Sequence, residues 1–299
     1  MWRAQGKNVM PKESNIFMTS KDITTKERRT ALQYRSGQLY NNKLGKRWGH
    51  TTTDLCPLCG QTDGGHHIAS GCKRLYKAYT ARHHQAGRII LKAILKGAHQ
   101  ADVAYSDLGA PPKLARDNIP KVDPRHQISL PKKSSKPDII LARKTANQRD
   151  PPARITLVEI KYCRDTDPTQ QLEKARKQHA QLQQHLRETR KTEVDIIPVL
   201  LGTSGAIYNA WTKEALTKLG VEGEPRNRAL KDLHFHAVRS LRSITSMRRK
   251  LERRRMRQGT PNPAARAHDP ALPAHASALT TRRAKTKQGP CMTLLHDPG

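Results

Sequence analysis

The sequence predicts a mixed α/β fold, and three observations carry that prediction. Short apolar runs at 138–142, 154–162 and 194–201 have the length and the Ile/Val/Leu content of strands. A segment with helical periodicity, opened by Pro168, separates the second run from the third. Another helical segment, from about Leu75 to Lys96, precedes the first run.

Taken in order, residues 1–50 are polar and basic with few apolar positions, and read as an extended arm with a short helix at about 26–42. A Cys-rich segment fills 51–75. The helix that follows offers Tyr79, Ile89, Ile90, Ala93 and Ile94 to a core, and Gly97 marks its end. Prolines 111, 112, 120, 124 and 131 make 98–135 read as irregular. The strand 138–142 leads through a polar connection at 143–153 to the strand 154–162. Apolar residues on both faces of that strand place it centrally in a sheet. The Pro168 helix runs to about Arg187 with Leu172, Ala175, His179, Leu182 and Leu186 on one stripe. Pro198 cannot donate to a ladder, so the run 194–201 belongs at an edge. A short helix at 211–219 and a long one at about 227–255 follow. The long helix has a seam of Leu230, Leu233, Ala237, Leu241, Ile244 and Leu251, and its other faces are crowded with Arg and Lys. From 257 onward Pro, Ala, Arg and Thr dominate, a composition expected to be disordered. The expected domains are thus a basic arm (1–50), a Cys-rich knuckle (51–75), an α/β core (76–225), a basic helix (226–256) and a tail (257–299).

The 299 residues hold 56 Lys and Arg against 25 Asp and Glu, a formal charge of +31. Such a surplus repels itself unless a polyanion offsets it, and nucleic acid is the partner whose binding releases counterions. No apolar run is long enough for a bilayer, so no membrane partner is expected. Met1–Lys7 lacks the apolar stretch of a secretory leader, and an intracellular protein is expected. Three of the five cysteines fall between 56 and 72, while Cys163 and Cys291 stand alone. This clustering suits a metal site better than a disulfide framework.

Cys56, Cys59, His67 and Cys72 have the spacing C-x2-C-x7-H-x4-C. Three thiolates and one imidazole make a closed tetrahedral set, which argues for a structural Zn2+. His66, beside His67, competes for the fourth position. The segment carries few apolar residues of its own, so its folding and metal binding are expected to be one event.

A second constellation is Lys136-Pro137-Asp138 with Glu159-Ile160-Lys161. Glu159 and Lys161 are two apart on a strand and share a face. If 138–142 pairs with that strand, Asp138 reaches the same place. Two carboxylates would then hold a hard cation such as Mg2+, and the lysine would stabilise charge on a phosphate. His179 reads as a satisfied core histidine. Gln171 and Gln178 are further candidates near a phosphate, though helical Gln is usually solvated. Arg82, His83 and His84 sit on an exposed basic helix face, where Arg82 and His83, with Lys136, are the candidate nucleic-acid contacts.

Tyr34–Lys46, Asp54–Gly60 with His67–Cys72, and Leu157–Tyr162, in this order, resemble the C-terminal region of non-LTR (LINE-type) retrotransposon proteins with a restriction-like endonuclease. The resemblance covers about residues 30–245. The CCHC knuckle, Lys-Pro-Asp and Glu-x-Lys match the PD-(D/E)xK nuclease pattern. It implies a restriction-endonuclease-like αβββαβ core and dependence on Mg2+. It also implies nicking of target DNA to prime reverse transcription. Cys56, Cys59, His67 and Cys72 carry over as zinc ligands, and Asp138, Glu159 and Lys161 as the catalytic set. Target DNA and the element RNA are the implied partners, the nucleus the implied location, and a reverse transcriptase is expected upstream in a full-length relative. Three features depart from the pattern. No aromatic-x-Asp-Asp polymerase motif occurs, Thr80–His84 offers no acid on the first core helix, and the gap from Asp138 to Glu159 is long. A catalytically inactive nucleic-acid binder of the same fold is the alternative.

Overall fold

A computed structural model describes residues 8–96, 101–108, 136–143 and 154–258, all within one compact unit. The connection at 144–153, most of the Pro-rich segment and the expected tail lie outside the described residues. No helix among the described residues is long and apolar enough to cross a membrane.

The centre is a four-stranded sheet in the order β1 (Ala101–Ser106), β2 (Ile139–Arg143), β3 (Arg154–Cys163) and β4 (Glu193–Gly202). β1 and β2, and β2 and β3, pair antiparallel. β3 and β4 pair parallel, from Arg154 opposite Glu193 to Cys163 opposite Gly202. A parallel pair needs a long crossover, and helix α5 (Thr169–Arg190) supplies it. β3 is central, as its doubly apolar run requires, and β4 with Pro198 is terminal. Strand β1 falls where an irregular segment is expected. Its sequence, Ala-Asp-Val-Ala-Tyr-Ser, lacks an apolar run because an end strand needs only one neighbour.

Alternation along the strands assigns the two faces. Ile139, Leu141, Val158, Ile160, Val199 and Leu201 meet helices α4 (Tyr76–Lys96) and α7 (Gly223–Arg257). Ile140, Ala142, Ile155 and Leu157 meet Leu182 and Leu186 of α5 on the other side. Gly87 of α4 is a close-approach position: a Cβ there would lie 2.2 Å from Leu108 Cδ2, so only glycine lets Leu108 reach the core.

The N-terminal region departs from the expected extended arm. Residues 8–50 fold into α1 (Pro11–Asn15), α2 (Thr25–Arg35) and α3 (Asn42–Arg47). Phe17, Ile23 and Ala31 are few, but all are buried against Phe235 and Val238 of α7. Thr24 and Glu27 form a capping box that starts α2. The ring of His234, wholly buried in α7, ties this region down: Nδ1–H donates to Gly205 O at 2.6 Å and Nε2 accepts from Phe17 N–H at 3.3 Å. The expected short helix is α6 (Glu214–Lys218), entered through a π turn at Asn209–Lys213.

Candidate active site and metal centre

Cys56, Cys59, His67 and Cys72 come together, with their four ligand atoms all within 4.8 Å of one another. A tetrahedron with zinc–sulfur bonds of about 2.3 Å has sulfur–sulfur edges of about 3.8 Å. Cys56 Sγ and Cys72 Sγ are 3.9 Å apart, and Cys59 Sγ lies 3.3 Å from His67 Nε2. The cluster is therefore compatible with a zinc ion. His67, not His66, joins the sulfurs. The hydrogen bond shared by Cys56 and Cys72 pulls the first thiol's pKa down and pushes the second's up, and burial raises that of Cys59. Three thiolates this close repel one another, and a dication removes the conflict.

The cluster does not stand apart from the core, against the expectation of a segment with almost none. Leu58, Ile68 and Leu75 are buried together with Leu39 and with Ile244 of α7. Asp63, in the knuckle, accepts two hydrogen bonds from the Arg248 guanidinium of α7, at 2.7 and 2.6 Å, with both side chains buried. Asp63 and Glu252 more than offset the burial of Arg248 and raise its pKa. Arg255 donates to Pro57 O at 2.9 Å. The long basic helix is a clamp on the knuckle, its seam residue Ile244 and its cations Arg248 and Arg255 all turned to it.

The second site lies where β3 outruns β2. Ile139 pairs with Val158, and the Asp138 N–H donates to Val158 O at 3.1 Å. Asp138 therefore sits across from Glu159, and its Oδ2 accepts from the Ile160 N–H at 2.6 Å. Glu159, 2% exposed, accepts from Lys161 Nζ through one oxygen and from His179 Nε2 at 2.7 Å through the other. Lys161 also donates to Gln178 Oε1 at 2.9 Å. Burial alone would raise the Glu159 pKa; the His179 hydrogen bond and the Lys161 charge outweigh it, and the carboxyl titrates below its ordinary range.

His83, on the first core helix, takes the side of the site where the sequence offers no acid. Its Nε2 is 3.2 Å from Asp138 Oδ2 and 3.0 Å from Ile160 O, both acceptors, so that nitrogen carries the proton. Burial lowers the His83 pKa, but the Asp138 hydrogen bond and charge raise it further, for a net rise. The sequence signal for this role was the gap in the acid pattern itself. His179, read as a satisfied core residue, is buried and is the direct partner of Glu159. Gln178 is engaged by Lys161, whereas Gln171 makes no such contact with the site. Lys136 is exposed two residues before Asp138.

Arg82 corrects an expectation. It is 4% exposed, not part of an open basic face. Its guanidinium donates to Ala69 O at 3.0 Å and Ser70 Oγ at 3.2 Å in the knuckle, and stacks 4.1 Å over the Tyr162 ring of β3. A phosphate contact needs solvent access that this position lacks; Arg82 instead joins the metal centre to the sheet. Compared with known proteins, the chain matches no family model, and no curated sequence is significantly similar to it.

Proposed function

We propose that this chain is the restriction-like DNA endonuclease region of a non-LTR retrotransposon protein, dependent on Mg2+ and stapled by a structural zinc knuckle. The observation that carries the reading is the register that sets Asp138 across from Glu159 at the end of the β2–β3 pair, with Lys161 two residues further along β3; the Asp138 carboxylate is held by His83 of α4, and Glu159 by His179 of α5. The chain order α4–β1–β2–β3–α5–β4 supports it, being the αβββαβ order that the resemblance implies. So does the charge of +31, which suits a DNA substrate. Target DNA, the element RNA and a nuclear location belong to the same proposal.

Asp138 makes its contacts to Ile160 and His83 through Oδ2, which leaves Oδ1 to a hard cation, whereas the two Glu159 oxygens are engaged by Lys161 and His179. Asp138 and Glu159 would hold the ion, which when bound polarises the scissile phosphate and eases ionisation of the attacking water. Glu159 is kept ionised by His179 and Lys161. Glu159 and Gln178 fix the Lys161 ammonium, whose side chain is 23% exposed and whose remaining N–H would meet negative charge developing on the phosphate. His83 is a positioning residue that steers the Asp138 carboxylate.

A plasmid-nicking assay with Mg2+ and zinc-loaded protein tests this. Wild type is expected to open supercoiled DNA. Asp138→Ala, Glu159→Gln and Lys161→Ala are each expected to slow nicking by about 100-fold or more. One observation favours a second reading, an inactive binder: both Glu159 oxygens already have protein partners. Folded wild type that binds DNA but cuts with no divalent ion would establish that reading.

A further inference from the structure

Beside the knuckle, a groove of about 640 Å³ runs between the α3 region and the C-terminal half of α7. Tyr40, His50, Thr52, Pro57, Arg249 and Met256 are among its walls. Tyr40 is 47% exposed, and Trp48, at the end of α3, is 45% exposed with its ring 6.0 Å from that of His50. The chain is poor in aromatics, 12 in 299 residues, and those on α7 and in the core are used for packing. Two exposed rings within one nine-residue stretch therefore call for a cause.

The stretch is held rigidly rather than left loose. Asn41 caps α3 by accepting from Leu44 N–H at 3.1 Å. Asn42 N–H donates to Asp63 Oδ2 at 2.8 Å, and Asn42 Nδ2 to Leu55 O at 2.8 Å. A Cβ on Gly45 would lie 2.8 Å from Tyr40 Oη and 3.2 Å from Thr51, so the missing side chain lets the Tyr40 ring lie against the α3 turn. Through Asp63 the platform is tied to Arg248, and thus to the knuckle and α7 together. On the opposite wall α7 contributes Arg248, Arg249 and Arg255 beside the acid Glu252; Arg248 is paired with Asp63 and Glu252 and Arg255 donates to Pro57 O, whereas Arg249 is exposed.

We infer that this groove and its rim bind single-stranded RNA, one base stacking on Tyr40 in the groove and the next on Trp48, which stands outside its walls beside His50, while Arg249 meets a phosphate. Preorganised rings beside a cationic wall are what unpaired bases need, because every base has a π-face and a duplex hides it. Three consecutive threonines, 51 to 53, line the groove. Thr52 is exposed among them and offers a hydroxyl to the ribose 2′-OH, which is the reason to assign RNA over DNA. The inference stands on different residues from the cleavage reading and does not depend on it.

The test is fluorescence anisotropy with the full zinc-loaded chain. The probes are a roughly 12-nucleotide single-stranded RNA, the DNA strand of the same sequence and its duplex. Wild type is expected to bind the RNA more tightly than the single-stranded DNA. The variant with Tyr40→Ala and Trp48→Ala together is expected to bind the RNA at least about tenfold more weakly. Its duplex binding should stay within about threefold of wild type, because the cations remain. Replacing both rings by Phe should restore the RNA affinity. Should the double alanine variant fold poorly, the single Trp48→Ala change, at an exposed ring, carries the same expectation. Unchanged RNA affinity, or equal loss of RNA and duplex binding, overturns the inference, and single-stranded DNA binding as tight as RNA overturns the choice of strand.

Discussion

The knuckle and the carboxylate site are both dense clusters of polar side chains, yet they are assembled in opposite ways. In the knuckle, three sulfurs and an imidazole face one another, and the charge conflict among them is resolved by nothing within the cluster. In the carboxylate site, Glu159 is matched by Lys161 and His179, and Asp138 by His83 and the Ile160 N–H. The first is incomplete without a cation; the second is neutralised by its own protein. An ion should therefore be a condition of folding at the first site and not at the second.

The largest expected effect breaks or upholds that contrast directly. Removing zinc by chelation, or changing Cys72 to Ser, should cost on the order of 5 kcal/mol or more, since isolated fingers gain about 10–16 kcal/mol from the metal. The loss should extend into α7, because Ile244 belongs to the same buried apolar cluster as Cys56 and Cys72. Melting temperature measured alongside metal content checks this. Full stability in metal-free protein would show that the shared apolar core suffices. Omitting Mg2+ should leave the melting temperature almost unmoved.

Next in size is Asp63→Ala. It leaves the buried Arg248 guanidinium with Glu252 alone, and breaking a buried pair costs about 3–5 kcal/mol. Urea denaturation should place it near the lower bound because of Glu252. A change under about 1 kcal/mol would mean that the clamp is held by Arg255 and the apolar contacts instead.

The contrast also explains what the sequence disclosed. The knuckle's ligands lie within 17 residues, so spacing alone nominated Cys56, Cys59, His67 and Cys72. The carboxylates were nominated through strand pairing, since Glu159 and Lys161 share a face by period two and Asp138 needs only the register. What stayed hidden came from distant chain segments. His83 reaches Asp138 across 55 residues and Arg248 reaches Asp63 across 185, and no local periodicity encodes such distances. Arg82 was misread because a basic residue among others on a helix resembles a solvated face until the neighbouring Tyr162 and the knuckle carbonyls are in place. The folded N-terminal region was missed for a similar reason: its sparse apolar residues form no stripe of their own and find their partners on α7.

A third polar contact, made with neither metal nor fixed charge, sharpens the comparison through pH. His234 is neutral in the fold: burial, partly countered by the Gly205 carbonyl and reinforced by Arg35, lowers its pKa from 6.5 to about 4. The unfolded chain then binds the proton first. Its contribution is complete above about pH 6.5 and is lost as pH falls toward 4, up to about 3 kcal/mol in all. Melting temperature followed across that window should fall, with the α2–α7 contact failing early. Protonation of Nε2 must break its bond to the Phe17 N–H, so a flat profile would mean that this bond contributes nothing measurable to stability.

The smallest effect concerns the link between the two clusters. Arg82→Lys keeps the charge but loses the planar fork that reaches Ala69 O and Ser70 Oγ while lying over Tyr162. About 1–2 kcal/mol should disappear, from weakened stacking and a hydrogen bond left unmade. The informative readout is coupling. If Arg82 transmits the knuckle's state to β3, the variant should narrow the gap in stability between zinc-loaded and zinc-free protein, since loss of zinc then no longer disturbs the sheet. An unchanged gap would confine the influence of the metal to α7 and leave β3, with Glu159 and Lys161 on it, indifferent to whether the knuckle is filled.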